Sequence, residues 1–238
     1  MCGRFANYLP YVPESEFRRL FRLPPQLELP LEPPLKRRYN IAPRDEVAAV
    51  RLSPRTGERE LVTLLWSLVP RWTPDARDFL KKFATFNAKS ETAAERASYK
   101  TPLRKQRCLI LANGFFEWKD EGGRGKVPHF IRVRDEELFA FAGLYDVWES
   151  RDRAERIESC TILLTEPNDV VRPIHGNAMP VILRPADYDD WLDPKLTDPA
   201  DLTHLLKPYP AARMYAYPVS AAVGNVRNDD PRCVEPRK

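Results

Sequence analysis

The chain has 238 residues, 43% apolar and 30% charged, with a mean hydropathy of −0.51 and a net charge of +4 from 38 basic and 34 acidic side chains. That length supplies one large domain or two small ones with room for a sizeable core, and excludes a disulfide-stapled miniprotein. No apolar run approaches the roughly 18 residues of a membrane span, and the small positive excess permits an anionic partner without demanding one.

Prolines number 24 and glycines 9, about twice and half of ordinary usage, so rigid turns predominate over flexible ones. The opening residues MCGRFANYLP lack the apolar stretch of an export signal, which predicts a cytoplasmic location, in a reducing cytosol or nucleoid. Cys2, Cys108, Cys160 and Cys233 form no C-x-x-C pair and only three histidines are present. No metal site and no cofactor are therefore expected.

In chain order, PESEFRRLF (13–21) places Phe17, Leu20 and Phe21 at helical spacing. Residues 22–37 hold five prolines and predict an extended loop leading into RYNIAP. EVAAVRL (46–52) and RELVTLLWSL (59–68) read as strands joined by the turn residues SPRTGE. Residues 69–107 look irregular to helical, with a short helix after Ser90 and Asn87 just before it. RCLILANGFFEWK (107–119) reads as a buried strand, a glycine at 114 and a second strand. HFIRV, ELFAFAGLY, SCTILLT, MPVIL and MYAYPVS continue the strand pattern, while PADYDDWL and PADLTHLL suggest capped helices. These elements predict an α+β fold: one domain over 1–238 with a curved, largely antiparallel, barrel-like sheet core, short flanking helices and Pro-rich loops. Residues 232–238 are expected to form a loose tail.

Removal of Met1 would leave Cys2 as an N-terminal aminothiol, whose amine and thiol can act on one carbonyl carbon. An α-amine with a pKa of about 7.8 is a far better nucleophile near neutrality than a lysine, and aldehydes are its natural targets. The plainer alternative makes Cys2 a small residue after an initiator Met. Glu117, among Phe115, Phe116 and Trp118, suits a desolvated carboxyl able to give and take protons, yet strand alternation is equally compatible with a solvent-facing glutamate. His175, between Pro173 and Gly176 in a loop, could transfer protons; His129 and His204 look like surface loop residues. Asn87 could orient a nucleophile or cap the following helix. Cations interleaved with aromatics, including Arg4, Arg38, Arg71, Lys89, Trp72 and Phe83, suit single-stranded nucleic acid, although a solvated face over core aromatics fits each member alone.

Seven ordered blocks, MCGRF, RYNIAP, LLWSLVPRW, FNAKSET, RCLILANGFFEW, IHGNAMPVIL and VSAAVGNVRNDDP, resemble the SOS response-associated peptidase family across nearly the whole chain. The resemblance implies a covalent sensor of abasic sites in single-stranded DNA, acting as a monomer without a membrane or metal. Cys2, freed of Met1 by self-processing, would condense with the ring-opened sugar aldehyde and close a thiazolidine. Asn87 would orient the amine, Glu117 would shuttle protons, and His175 would assist ring opening and reversal. Arg4, Arg38 and Lys89 would hold phosphates, and Trp72 and Pro43 would stack on or wedge against bases. Lys89 stands where the family reads arginine, keeping the charge without the two-pronged donor geometry. HGNAMP carries one residue more than the family's His-x-Arg pattern and no arginine after His175. Rival readings are an N-terminal-nucleophile cysteine peptidase or amidase, and a non-covalent single-strand binding module.

Overall fold

The computed structural model describes residues 2–8, 14–25 and 36–237. Met1, residues 9–13, residues 26–35 of the expected Pro-rich loop and Lys238 lie outside the described residues. The elements are β1 (Phe5–Asn7), α1 (Glu14–Phe21), β2 (Arg38–Ile41), β3 (Glu46–Leu52), β4 (Arg59–Trp66), α2 (Ala76–Lys82), β5 (Asn87–Lys89), α3 (Ser90–Ala93), α4 (Lys100–Lys105), β6 (Arg107–Ala112), β7 (Gly114–Asp120), β8 (Lys126–Val133), β9 (Phe139–Glu149), β10 (Arg156–Thr165), β11 (Met179–Pro180), β12 (Ile182–Leu183), α5 (Tyr188–Leu192) and β13 (Met214–Pro218).

Five strands close into a ring, β10–β4–β3–β6–β9, because β9 also pairs along β10. A ring of five cannot be antiparallel throughout, since the directions cannot alternate around an odd number. The exception falls at β4 and β10, which run parallel with Cys160 opposite Trp66. Closure places one side of each strand inside, and helices cover the outer side of β6, β9 and β10. Cys108, Ile110 and Ala112 of β6 face inward with Val47, Ala49, Phe141 and Ile162. Leu109 and Leu111 face outward with Ala140, Ala142 and Leu163, beneath Phe17 and Phe21 of α1 and Tyr188 and Trp191 of α5. Burial on both faces is why these segments read as unbroken apolar runs instead of alternating ones. Gly143 of β9 belongs to the crowded interior: a Cβ there would lie 2.7 Å from Ile110 Cδ1 and 2.8 Å from Cys108 Sγ.

A second, open sheet has the order β13–β8–β7–β1–β2. The chain passes into it from the ring at Asn113, whose side chain accepts from the Tyr8 amide at 2.7 Å and donates to the Glu137 carbonyl. Gly114 follows because a Cβ there would sit 2.4 Å from Phe130 Cζ and 2.8 Å from the Ile131 carbonyl oxygen. One face of this sheet, through Phe5, Phe115 and Ile131, continues the ring interior, with Phe5 edge-on to Trp66 at 5.0 Å. The other face, through Ala6, Phe116 and Phe130, is covered by Val219, Val223 and Cys233.

Several expectations need correction. Residues 232–237 are packed, not loose: Cys233 is buried, Tyr217 Oη donates to the Val234 carbonyl at 2.8 Å, and Val219 bridges Pro236. Apolar cover of the second sheet holds the tail down. MPVIL is two short strands, because Val181 leaves the ladder to bond Leu163 and Ala142 instead. PADLTHLL makes only a 3-10 turn over Pro199–Leu202, capped by Asp198. His129 lies in β8 opposite Glu117, not in a loop. Among the described residues, no helix is long and apolar enough to cross a membrane.

Candidate active site

Cys2 has no exposed surface, and Asn87 Nδ2 donates to its carbonyl oxygen at 2.6 Å. Two ladders fix the approach: β1 pairs with both β2 and β7, and the Phe116 amide donates to the Arg4 carbonyl at 2.9 Å. Asn87 is held from the other side, since β5 runs parallel to β10 with Asn87 opposite Ile162. It does not cap the following helix, whose N-cap position is Lys89, without a side-chain capping bond. Burial pushes the Cys2 thiol up, and the nearby negative charge of Glu117 pushes it further in the same direction.

Glu117 follows the strand alternation inward with Phe115, while Phe116 and Trp118 take the far face. It is 3% exposed, and burial raises its carboxyl from the usual 4.5 to about 7. The choice between a solvent-facing and a desolvated glutamate is thereby resolved in favour of burial. Its Oε2 lies 3.8 Å from His175 Nδ1, beyond a hydrogen bond but within reach of one after a small shift or through one water. Burial lowers the His175 imidazole, so near neutrality a partly protonated acid faces a largely neutral base.

Two acceptor atoms in this cluster, Glu117 Oε1 and Asn87 Oδ1, are buried and have no hydrogen-bond partner among the described residues. A buried acceptor left unpaired costs about 1–3 kcal/mol, so both are set for donors that a ligand or a remodelled N-terminus would bring.

The residues expected to meet DNA are placed unequally. Trp72 is 55% exposed and stands edge-on to Phe79 at 6.0 Å; Phe83, also 55% exposed, packs on the same ring at 4.8 Å. The Trp72 loop is pinned from below by Val69 N to Ser159 Oγ, Arg71 N to Asp146 Oδ2 and Trp148 Nε1 to the Thr73 carbonyl. Lys89 is exposed at the end of β5, and Pro43 is half-buried in the turn after β2. Arg4 and Arg38, by contrast, are engaged inside the protein. Arg4 Nη1 donates to Asn40 Oδ1 at 2.8 Å and to the Val223 carbonyl at 2.6 Å, with its guanidinium 5.8 Å over the Trp118 ring. Arg38 pairs with Asp45 at 2.7 Å and with Asp229.

Those contacts expose residues that the motifs did not single out. Asn40, wholly buried, donates through Nδ2 to the carbonyls of Val223, Asn225 and Asn228 at 3.1, 3.1 and 2.6 Å. Asp229 accepts from the Tyr39 and Asn40 amides at 2.5 and 2.9 Å. Together they bind the RYNIAP strand to the C-terminal segment and hold Arg4, two residues from the thiol. Both lie inside blocks noted in the sequence, but a pairing 183 to 190 residues apart leaves no local signal.

The model of the family described as SOS response associated peptidase matches residues 1–226. The chain belongs to the SOS response associated peptidase family. It is 36% identical over 235 residues to the abasic site processing protein YoqW of Bacillus subtilis, covering 99% of each chain. It is 35% identical over 201 residues to the abasic site processing protein HMCES of Gallus gallus, covering 76% of this chain and 59% of that one. A solved structure of a Bacteroides thetaiotaomicron protein aligns with a TM-score of 0.75 and 29% identity over 84% of this chain and 85% of that one. In this member of the SOS response associated peptidase family, packed structure continues past the match, through Arg237.

Proposed function

We propose that this protein captures abasic sites in single-stranded DNA covalently through Cys2, after hydrolysis of the Met1–Cys2 bond. The observation that carries the reading is the pair of unpartnered buried acceptors, Glu117 Oε1 and Asn87 Oδ1, on the two side chains that bear on Cys2. A freed Cys2 amine brings N–H donors to such acceptors, and the open-chain sugar brings hydroxyls.

The amine adds to the aldehyde carbon to give a carbinolamine. Glu117, with a pKa of about 7, delivers a proton to the departing hydroxyl and takes one back from nitrogen, so that water leaves, the imine forms and the carboxyl is restored. The thiol then adds to the imine carbon, its proton passing to nitrogen, and a five-membered thiazolidine closes. Burial disfavours a free thiolate, which suits a thiol that loses its proton only as the C–S bond forms. His175 serves ring opening and the reverse reaction. Lys89 contacts a phosphate, Trp72 and Pro43 meet bases, Arg4 adds positive potential, and Arg38, neutralised by Asp45 and Asp229, braces the β2 edge beside β1. The names of relatives at 36% and 35% identity support the substrate class.

Intact mass spectrometry tests this. The purified protein should lack Met1 and gain the mass of one strand less one water with an abasic oligonucleotide, and gain nothing with an undamaged strand or in Cys2→Ala. Retention of Met1, absence of the adduct, or an adduct in Cys2→Ala would overturn the reading; turnover of a peptide without any adduct would assign an amidase instead.

A further inference from the structure

His175 lies on the connection between β10 and β11, which begins and ends at the paired residues Thr165 and Met179. No strand or helix occupies this stretch, yet it is ordered by one buried side chain. Asn168 Oδ1 accepts from the amides of Val170 and Val171, each at 3.1 Å, and its backbone carbonyl accepts from Arg172 N at 2.8 Å. Val171, wholly buried, in turn accepts from Ile174 N at 2.9 Å and His175 N at 2.8 Å. The chain of bonds therefore runs from Asn168 through Val171 to the His175 backbone. At its other end Asn168 Nδ2 donates to the Tyr209 carbonyl at 2.7 Å, tying the turn to a segment 41 residues away. Side chains that bond backbone amides two and three residues ahead form such turns as a rule, and asparagine and aspartate do it best.

We propose that Asn168 is a positioning residue that sets the His175–Glu117 separation by nucleating the turn on which His175 rides. It touches no reacting atom and acts through another residue. The chemical consequence rests on the capture reading above; the positioning does not.

Asn168→Ala deletes the acceptor for two amides and the donor to Tyr209, and the freed turn should slow adduct reversal about tenfold to a hundredfold, as a displacement near 1 Å does. Capture should change much less. Asn168→Asp keeps the acceptor and loses the donor, so it should restore reversal to within about threefold of wild type while lowering the melting temperature. A purely structural role would instead move rate and stability together in both variants, and that outcome would overturn the proposal. Asn168→Ala combined with His175→Ala should reverse no more slowly than His175→Ala alone; additive losses would show that Asn168 acts elsewhere. NMR of the His175 ring protons without DNA separates this proposal from the function. A shift in Asn168→Ala that Asn168→Asp reverses supports positioning even if wild type makes no adduct; unmoved signals refute it even if the adduct forms.

Discussion

The ring and the open sheet each have five strands and each bury both faces, but they are finished differently. Backbone pairing of β9 with β10 closes the ring, and its interior is lined by apolar side chains such as Ile110, Phe141 and Ile162. The sheet has free edges, and side-chain bonds from Asn40 and Asp229 hold its β2 edge to the C-terminal segment. Glu117 belongs to the sheet and Cys2 leads into its strand β1, whereas Asn87 and His175 come from segments joined to β10 of the ring. The site thus forms where ring and sheet meet, with polar side chains from both. Stability and chemistry should then separate by region. Ile110→Ala, wholly buried inside the ring, should cost about 2–5 kcal/mol in denaturant unfolding. Adduct formation per folded molecule should be unchanged; a slowed reaction would break the division.

Glu117 sharpens the same contrast through pH. Its folded-state pKa is about 7 against an ordinary 4.5, so between these values the folded protein holds more proton than the unfolded chain. Stability therefore falls as pH rises through that window, and the loss is complete above it. Glu117→Gln removes the titration. Its unfolding free energy relative to wild type should rise from no change near pH ~4.5 to as much as about 3 kcal/mol above pH ~7. Urea melts across that range check it, and a flat difference would show that the carboxyl is not desolvated. Capture should nevertheless slow, because the residue that strains the fold is the one proposed to move the proton.

Much of this arrangement was legible in the sequence where it depends on local pattern. EVAAVRL became β3 residue for residue, and RCLILANGFFEW divided at Gly114 as expected because the glycine marks a crowded transfer between layers. Cys2, Asn87, Glu117 and His175 each stand in a local sequence pattern that suggests chemistry, and the fold draws Cys2 to Asn87 and Glu117 to His175. Closure of the ring was not legible in detail, since nothing in SCTILLT says that it pairs with β4, β5, β9 and β11 at once. The sequence could not tell whether Arg38 faces a phosphate or two aspartates, because a charge's partner is chosen by the fold. The tail reads as loose for a related reason: its polar composition hides Cys233 and Val234, which cover the sheet.

Asn40 provides the finest test of the regional division, because it is part of the sheet and contacts no proposed reacting atom. In Asn40→Ala, the Asn225 and Asn228 carbonyls lose the Asn40 donor, while the Val223 carbonyl keeps Arg4 Nη1. Buried groups left unpaired in this way cost about 1–3 kcal/mol, less than the ring substitution. Arg4 would also lose one of the two bonds that fix it, and the thiol lies 3.9 Å from the Arg4 carbonyl. Adduct formation should therefore slow by more than the small stability loss accounts for when rates are compared on fully folded protein at low temperature. Asn40→Asp separates the two effects: its carboxylate still accepts from Arg4 but faces three carbonyl oxygens without a donor. It should be the less stable of the two variants and the faster at capture. If instead the rates rank with stability, the sheet's polar bonds serve folding alone, and the position of Cys2 is set by the β1–β7 ladder and Asn87.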